Sequence, residues 1–361
     1  MKLPFEFGAK LLFRLLLPGF VFSLGLSPLL FFGLDWVSWK ESHVYLLIIM
    51  IVFSGWALLV LDMPIYMLFE GRRFWLPSLR KWMVKSEKER LEKLLARTSL
   101  AKLESIEARE DSLEDKTGQE RELLQEQIEC DERDYIEGNF DIRNFALNSQ
   151  GEYQAKFPTR LGNLIYAYED YSSRVYGMDT MFYWPRIWLK LPKETQEEID
   201  NRQAITDSTV YVSFACLVGA VLWFIYGSLE IANGLIIWFR GSAVFSTNHT
   251  LFEHLPAWWF SWVVGAVFLL LGFFVYRLSL RLHAQFGEVF KAVFDDFHDE
   301  INMSAVIGDI AKSAKYASLL TTPRKRQMEV AFGYLQFGLI NCPSCGKRVT
   351  FGKMNEHRKS H

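Results

Sequence analysis

The feature that most constrains this chain is the placement of its apolar residues. Long uncharged runs near both ends flank a middle dense in charge. Runs of about 20 apolar residues read as bilayer spans, not as helices buried in one soluble globule. Averages conceal this: of 361 residues, 50% are hydrophobic and 23% charged, and the net charge is -2. The 16% of aromatic residues exclude a disordered or collagen-like chain. Four cysteines over this length make no disulfide framework. Near-neutral charge gives no sign of a wholesale nucleic-acid binder.

Four spans are expected. The first runs from about Leu15 to Gly33, kinked at Pro18-Gly19 and Pro28, with Arg14 at its start where a long side chain can snorkel. It is too long for a signal peptide, lacks an obvious small-residue cleavage site, and is read as retained. The second is Val44 to Phe69. The third begins at Val210 and is apolar to Leu229, and the fourth is roughly Pro256 to Tyr276. Each can cross a hydrocarbon core of about 30 Å at 1.5 Å per residue.

Basic residues set the orientation. Lys2, Lys10 and Arg14 precede the first span, and Arg72, Arg73, Arg80, Lys81 and Lys85 follow the second. Lys190, Lys193 and Arg202 precede the third, and Arg277, Arg281 and Lys291 follow the fourth. The two opposite loops hold only Lys40 and Arg240. Both termini and the central region are therefore expected in the cytoplasm, with the spans in the plasma (inner) membrane. Trp36, Trp39, Trp258 and Trp259 fall where an outer aromatic belt is expected, and Asn248-His249-Thr250 is a glycosylation sequon on that side.

Asp62 lies inside the second span, next to Pro64. An intramembrane acid either lines a water-filled path or is consumed locally, capping a break at Pro64 or pairing with a basic residue; the local role is favoured. Ala215-Cys-Leu-Val-Gly219 has the small-xxx-small spacing of closely packed membrane helices.

The expected domains are a first transmembrane hairpin (1–70), a charged cytoplasmic helical region (71–150), an aromatic-rich juxtamembrane segment (151–206), a second transmembrane hairpin (207–280), a cytoplasmic helix with a basic linker (281–340) and a zinc finger (341–361). The fold class is thus mainly α: a four-span helical membrane protein with a helical cytoplasmic domain and a small C-terminal zinc finger. Within 83–134, Leu91, Leu95, Leu103, Ile106, Leu113, Leu124 and Ile128 recur mostly at three, four or seven without a sustained heptad. A helical hairpin broken near Gly118 is expected. Phe286, Val289, Phe290, Val293, Phe294 and Phe297 mark one helix face that continues the fourth span, and the acids from Asp295 to Glu300 read as solvated surface.

Residues 151–206 contain Phe157-Pro-Thr-Arg-Leu-Gly-Asn163, Arg174-Val-Tyr-Gly-Met-Asp179 and Trp184-Pro-Arg-Ile-Trp188. Over roughly 50 residues this series resembles a segment of uncharacterised bacterial multi-pass membrane proteins. The resemblance implies a bacterial inner-membrane protein and no particular activity. Pro158 and Gly162 punctuate a turn, Asn163 is expected as a helix cap, and Tyr176, Trp184 and Trp188 suit packing at the membrane interface. Arg160, Asp179 and Arg186 are candidate ligand or ion-pair residues, with structural roles favoured.

The sharpest chemical signal is C-terminal. Cys342-Pro-Ser-Cys345 is followed after eleven residues by His357, and after three more by His361. Two thiolates and two histidines on one helix face supply tetrahedral ligands for structural Zn²⁺, with no open position for catalysis. The pattern resembles the C2H2 zinc finger, with Val349 and Met354 near that family's core positions. It departs from it in an eleven-residue loop, in Val where an aromatic is usual, and in a last ligand that is the last residue. Lys347, Arg348, Lys353, Arg358 and Lys359 make it basic, yet one finger reads only about three base pairs. A cytoplasmic protein partner or a second subunit is favoured over nucleic acid.

No Gly-rich phosphate loop, nucleophile elbow or catalytic-zinc pattern occurs, so no enzyme is expected. Two functions stay open: a homo-oligomeric ion channel or pore with a cytoplasmic assembly domain, or a membrane-anchored scaffold or sensor that docks a partner through its finger. Membrane lipid is the common partner of both.

Overall fold

The structure is a computed structural model. It describes residues 11–27, 41–113, 116–148, 150–240, 258–313, 317–342, 345, 347–354 and 357. The described chain is mainly helical, with two short antiparallel β-hairpins, and it divides into two compact units.

The first unit is Met1–Phe74 with Glu197–Phe286. It opens with a π-helical turn, Leu12–Leu16, that leads into α1, Leu17–Gly25. Pro18 cannot donate to the Arg14 carbonyl and its ring crowds that oxygen, which accounts for the widened turn. Helix α2, Glu41–Val60, is followed by α3, Asp62–Phe69. The two are bent by 63°, because Pro64 has no N–H for the Val60 carbonyl. The unit also holds most of α9, Lys193–Arg240, and of α10, Trp258–Phe297.

Two helices, Lys193–Leu229 and Trp259–Glu300, are long and apolar enough to cross a membrane, and the bent pair α2–α3 makes a third if it counts as one span. Four spans were expected. The first of these, Leu15 to Gly33, is described only in part, and the apolar helical stretch Leu12–Gly25 covers roughly 20 Å at 1.5 Å per residue, short of the bilayer core. Trp36, Trp39 and the Asn248 sequon lie outside the described residues.

Small residues let these helices approach. A Cβ on Gly19 would strike the α2 backbone at Ile51 and Gly55, and one on Gly25 would lie 2.9 Å from the Gly219 Cα. The Ala215-to-Gly219 spacing therefore serves a contact within the chain, against Gly25. Ser23 donates to the Ser54 hydroxyl at 3.1 Å, and Ser213 to the Gly272 carbonyl at 3.0 Å. Such bonds tie helices where neighbouring lipid would be as apolar as a leucine.

The second unit is Trp75–Gln196 with Gly287–His361. Helices α4 (Pro77–Arg97) and α5 (Leu100–Ser112) are followed at Gly118 by a break and by α6 (Gln119–Ile142). Gly118 takes φ +63°, and a Cβ there would meet nothing within 4 Å among the described residues. Leu91, Leu94, Ile142, Phe145 and Ala155 form a buried cluster, and Asp131 pairs with Lys102 and Arg109 at 2.9 and 2.7 Å. The expected helical hairpin is thus present, with an additional break at Thr98-Ser99 where Ser99 caps α5.

A small hairpin, β1 (Ala146–Leu147) with β2 (Tyr153–Gln154), precedes α7 (Arg160–Tyr176) and α8 (Thr180–Trp188). The motifs that carry the family resemblance turn out to punctuate these helices. Thr159, not Asn163, caps α7 by accepting from the Gly162 amide at 3.0 Å. Gly177 ends α7 in the left-handed region, φ +69°, with the Gly177 and Met178 amides bonded back to Ser173 and Ser172. Asp179 then caps α8. Trp184 packs against Phe290 and Phe294, and Tyr176 stacks on His298 at 4.1 Å. All three of Tyr176, Trp184 and Trp188 are half-buried, and Trp184 also meets Trp188 at 5.7 Å.

Past α10 come α11 (Ser304–Ser313) and α12 (Arg324–Phe337). The basic stretch after Pro323 was expected as a linker and is instead the first turn of α12. Arg324 donates to the carbonyls of His298 and Ile301, Lys325 to that of Arg174, and Arg326 pairs with Glu329. The chain finishes in β3 (Leu339–Asn341) paired with β4 (Arg348–Thr350), Ile340 opposite Val349.

Candidate functional site

The β3–β4 hairpin brings together a group of side chains with metal-ligand chemistry. Cys342 follows β3 directly, and its amide bonds to the Lys347 carbonyl at 2.8 Å, closing the knuckle that carries Cys345. A 3-10 turn, Phe351–Lys353, then returns the chain so that His357 faces the thiols. The donor atoms of Cys342, Cys345 and His357 lie within 4.8 Å of one another, a group that can hold a metal ion. Cys345 Sγ and His357 Nε2 are 3.1 Å apart, near the roughly 3.5 Å that a tetrahedral zinc sets between thiolate and imidazole. His361 lies outside the described residues.

The hairpin shares its core with helices. Ile340, Cys342 and Met354 are buried in one cluster with Ile307, Ile310 and Ala311 of α11, Leu319, and Val330 and Ala331 of α12, and Val349 packs at its edge. Met354 and Val349 thus do the packing expected of them, although their partners come largely from α11 and α12.

A second polar constellation lies among the apolar helices of the first unit. Asp62 and Tyr66 stand four apart on α3, and Asp207 and Tyr211 four apart on α9. They bond reciprocally: Tyr211 donates to Asp62 Oδ1 at 2.7 Å, and Tyr66 to Asp207 Oδ1 at 2.6 Å. Arg14, in the π-helical turn, pairs with Asp207 Oδ2 at 3.0 Å, and its Nε meets no acceptor among the described residues. His283 of α10, 1% exposed, places Nε2 3.3 Å from the Tyr66 oxygen and Nδ1 2.8 Å from the Ser279 carbonyl. Six side chains from the π-helical turn, α3, α9 and α10 meet here. Among the described residues Asp62 neither caps the break nor pairs with a base; its partner is Tyr211. Sequence reasoning missed the other five as a site. The signal was available as the same Asp-x3-Tyr spacing in two apolar runs, which on facing antiparallel helices pairs each acid with the other's phenol.

Arg160, Asp179 and Arg186 are not brought together. Arg160 Nε lies 3.9 Å from Oε1 of the buried Glu87. Arg90 reaches the same carboxylate at 3.4 Å, and so does the Asn163 side-chain amide. Asn163 also accepts from the Lys156 and Phe157 amides and donates to the Phe157 and Thr159 carbonyls, fixing the turn before α7. Asp179 is a helix cap, and Arg186 folds over the Phe182 ring at 3.7 Å. Among the acids after α10's core face, Asp295 accepts from Tyr171 and Tyr176 at 2.8 and 2.7 Å. That burial and the facing carboxylate push both phenols above the ordinary tyrosine range.

No protein-family model, curated protein or solved structure matches this chain.

Proposed function

We propose that the protein is a membrane-anchored docking protein, its apolar helices the anchor and its second unit a helical interaction domain with a zinc-stapled hairpin. One observation supports the anchor over a pore: the two acids among the apolar helices, Asp62 and Asp207, are held by side chains of their own cluster. Asp62 is occupied by Tyr211 and Asp207 by Arg14 and Tyr66. The faces of α10 left open are apolar, with Val263, Val267, Leu270 and Phe274 exposed, as suits contact with lipid or a second copy. A conducting path would require a polar stripe that remains free.

Two thiolates and an imidazole favour zinc in the hairpin, with His361 as the fourth ligand and a structural role. The thiols fit a reducing cytoplasm, which agrees with the basic residues flanking the spans. Zinc would hold Cys342 in register with Ile340 and Met354 and so fix the surface that α11 and α12 present to a protein partner.

Planar-bilayer recording of the purified full chain tests the reading. An anchor leaves the bilayer at the conductance of protein-free lipid. Current that scales with protein and falls in Asp62→Asn would overturn the anchor in favour of a homo-oligomeric pore.

A further inference from the structure

We propose that the cluster of Tyr66, Asp207 and His283 is a binding site for one proton, shared between α9 and α10 through the Tyr66 hydroxyl. This concerns the first unit alone and does not depend on the docking reading.

The argument is a count of protons. The Ser279 carbonyl can only accept, so His283 Nδ1 carries its hydrogen toward it. In a neutral imidazole Nε2 is then a lone pair, and it faces the Tyr66 oxygen at 3.3 Å. Asp207 Oδ1, an acceptor when ionised, faces the same oxygen at 2.6 Å. One hydroxyl hydrogen therefore serves two buried acceptors, and among the described residues one of them is left without a donor. The Asp62–Tyr211 half of the cluster has no such conflict, since one hydroxyl meets one carboxylate.

The charge count runs the same way. Among the described residues, the charged and titratable groups facing the site are Arg14 from the π-helical turn, Asp62 and Tyr66 from α3, Asp207 and Tyr211 from α9, and His283 from α10. With both acids ionised and the imidazole neutral, one guanidinium faces two carboxylates. Among apolar helices a residual charge of that kind is costly. A single added proton corrects both counts.

That proton has two equivalent homes. In one form His283 Nε2–H donates to the Tyr66 oxygen while Tyr66 donates to Asp207. In the other, Asp207 carries the proton and donates to Tyr66, which donates to His283 Nε2. To interconvert them, His283 gives Nε2–H to the Tyr66 oxygen as Tyr66 gives its own hydrogen to Asp207 Oδ1. One proton moves from α10 to α9 and no other reactant is needed.

The test is a pH titration of the detergent-solubilised full chain labelled with ¹⁵N-histidine, the His283 signal identified by its loss in His283→Gln, alongside infrared spectra of protonated carboxyl groups. Between about pH 5 and pH 8, the His283 signal should pass from the doubly protonated form to the Nδ1–H tautomer, or a carboxylic-acid band should be present that Asp207→Asn removes. In Asp207→Asn the new amide donates to Tyr66 and frees the hydroxyl for Nε2, so proton affinity at His283 should fall about tenfold or more, one pH unit. Tyr66→Phe changes no charge and breaks the bridge; in that background the effect of Asp207→Asn should shrink. A His283 fixed as the Nδ1–H tautomer throughout, with no carboxylic-acid band sensitive to Asp207→Asn, would overturn the site.

Discussion

The two units hold their helices together by opposite means. Among the apolar helices the contacts depend on missing side chains, Gly19 against Gly55 and Gly25 against Gly219, with a few hydroxyl bonds such as Ser23 to Ser54. In the other unit the contacts depend on large ones. There Tyr183, fully buried, donates to the Met328 carbonyl, and Phe294, Ile310 and Leu319 are likewise sealed from solvent. Lipid is as good a surrounding for leucine as another helix is, so bulk gives no preference for assembly there and close backbone approach decides. In water each buried apolar side chain is worth about 1.5–3 kcal/mol, and bulk decides. The ionic groups differ as well: Arg14, Asp62 and Asp207 meet in one cluster among the apolar helices, whereas in the second unit Asp131 ties α6 to α5 through Lys102 and Arg109.

The comparison breaks most severely at the metal. Cys342 is both a proposed ligand and a core residue, 2% exposed in the cluster with Met354. Cys342→Ser should take bound zinc from one per chain to none by elemental analysis of the purified protein. The same change should open 339–357 to protease while the apolar helices stay intact in detergent. Free energies on the order of 10 kcal/mol attach to structural zinc in isolated fingers; the core shared with α11 and α12 should leave more of the hairpin's order behind. Undiminished zinc would refute the ligand assignment.

A methyl or two too many should do next most damage. Gly219→Val puts a Cβ against Gly25 on one side, and on the other against Phe268, whose ring carbon lies 3.1 Å from that position. Overpacking of about 1–3 kcal/mol is expected, read as a lower thermal midpoint in detergent. An unchanged midpoint would mean that the helices do not meet at these glycines.

The smallest effect belongs to Asp131. Hydrogen bonding from Lys102, aided by Arg109 and opposed by slight burial, holds its carboxyl below the usual carboxylate range. The folded-state value is thus below the unfolded one. The stabilisation is present in full above the ordinary carboxylate value and is lost as pH falls through the lowered one. The pair is partly exposed and screened by solvent, so it is worth no more than about 1 kcal/mol. Asp131→Asn should therefore melt slightly earlier than the parent at neutral pH, and the two melting points should converge in acid. A constant difference across pH would remove the ion pair from consideration.

How much of this could be read in the residues varied with the physics involved. Apolar runs, the break at Gly118 and the Cys-x2-Cys knuckle depend on local chemistry and were legible. The 63° bend at Pro64 follows from a missing N–H, yet whether it splits a span depends on packing. The reciprocal acid–phenol pairs were overlooked because each half, Asp62-x3-Tyr66 and Asp207-x3-Tyr211, looks incidental until antiparallel helices face each other. The burial of Glu87 has a related cause: Arg160 and Asn163, distant in sequence, join the neighbouring Arg90 in making burial of its charge tolerable. Conversely, Tyr-Gly-x-Asp and Pro-Thr-x-Leu-Gly-Asn invite a ligand-site reading, and the structure employs them to stop one helix and start the next.

The tip at Gly118 has a practical consequence. It is exposed, sits at positive φ and, among the described residues, has nothing within 4 Å of where a side chain would begin, the setting in which foreign sequence is best tolerated. A fluorescent protein spliced in there would report where this chain resides in a living cell while leaving the polar cluster and the cysteine knuckle untouched.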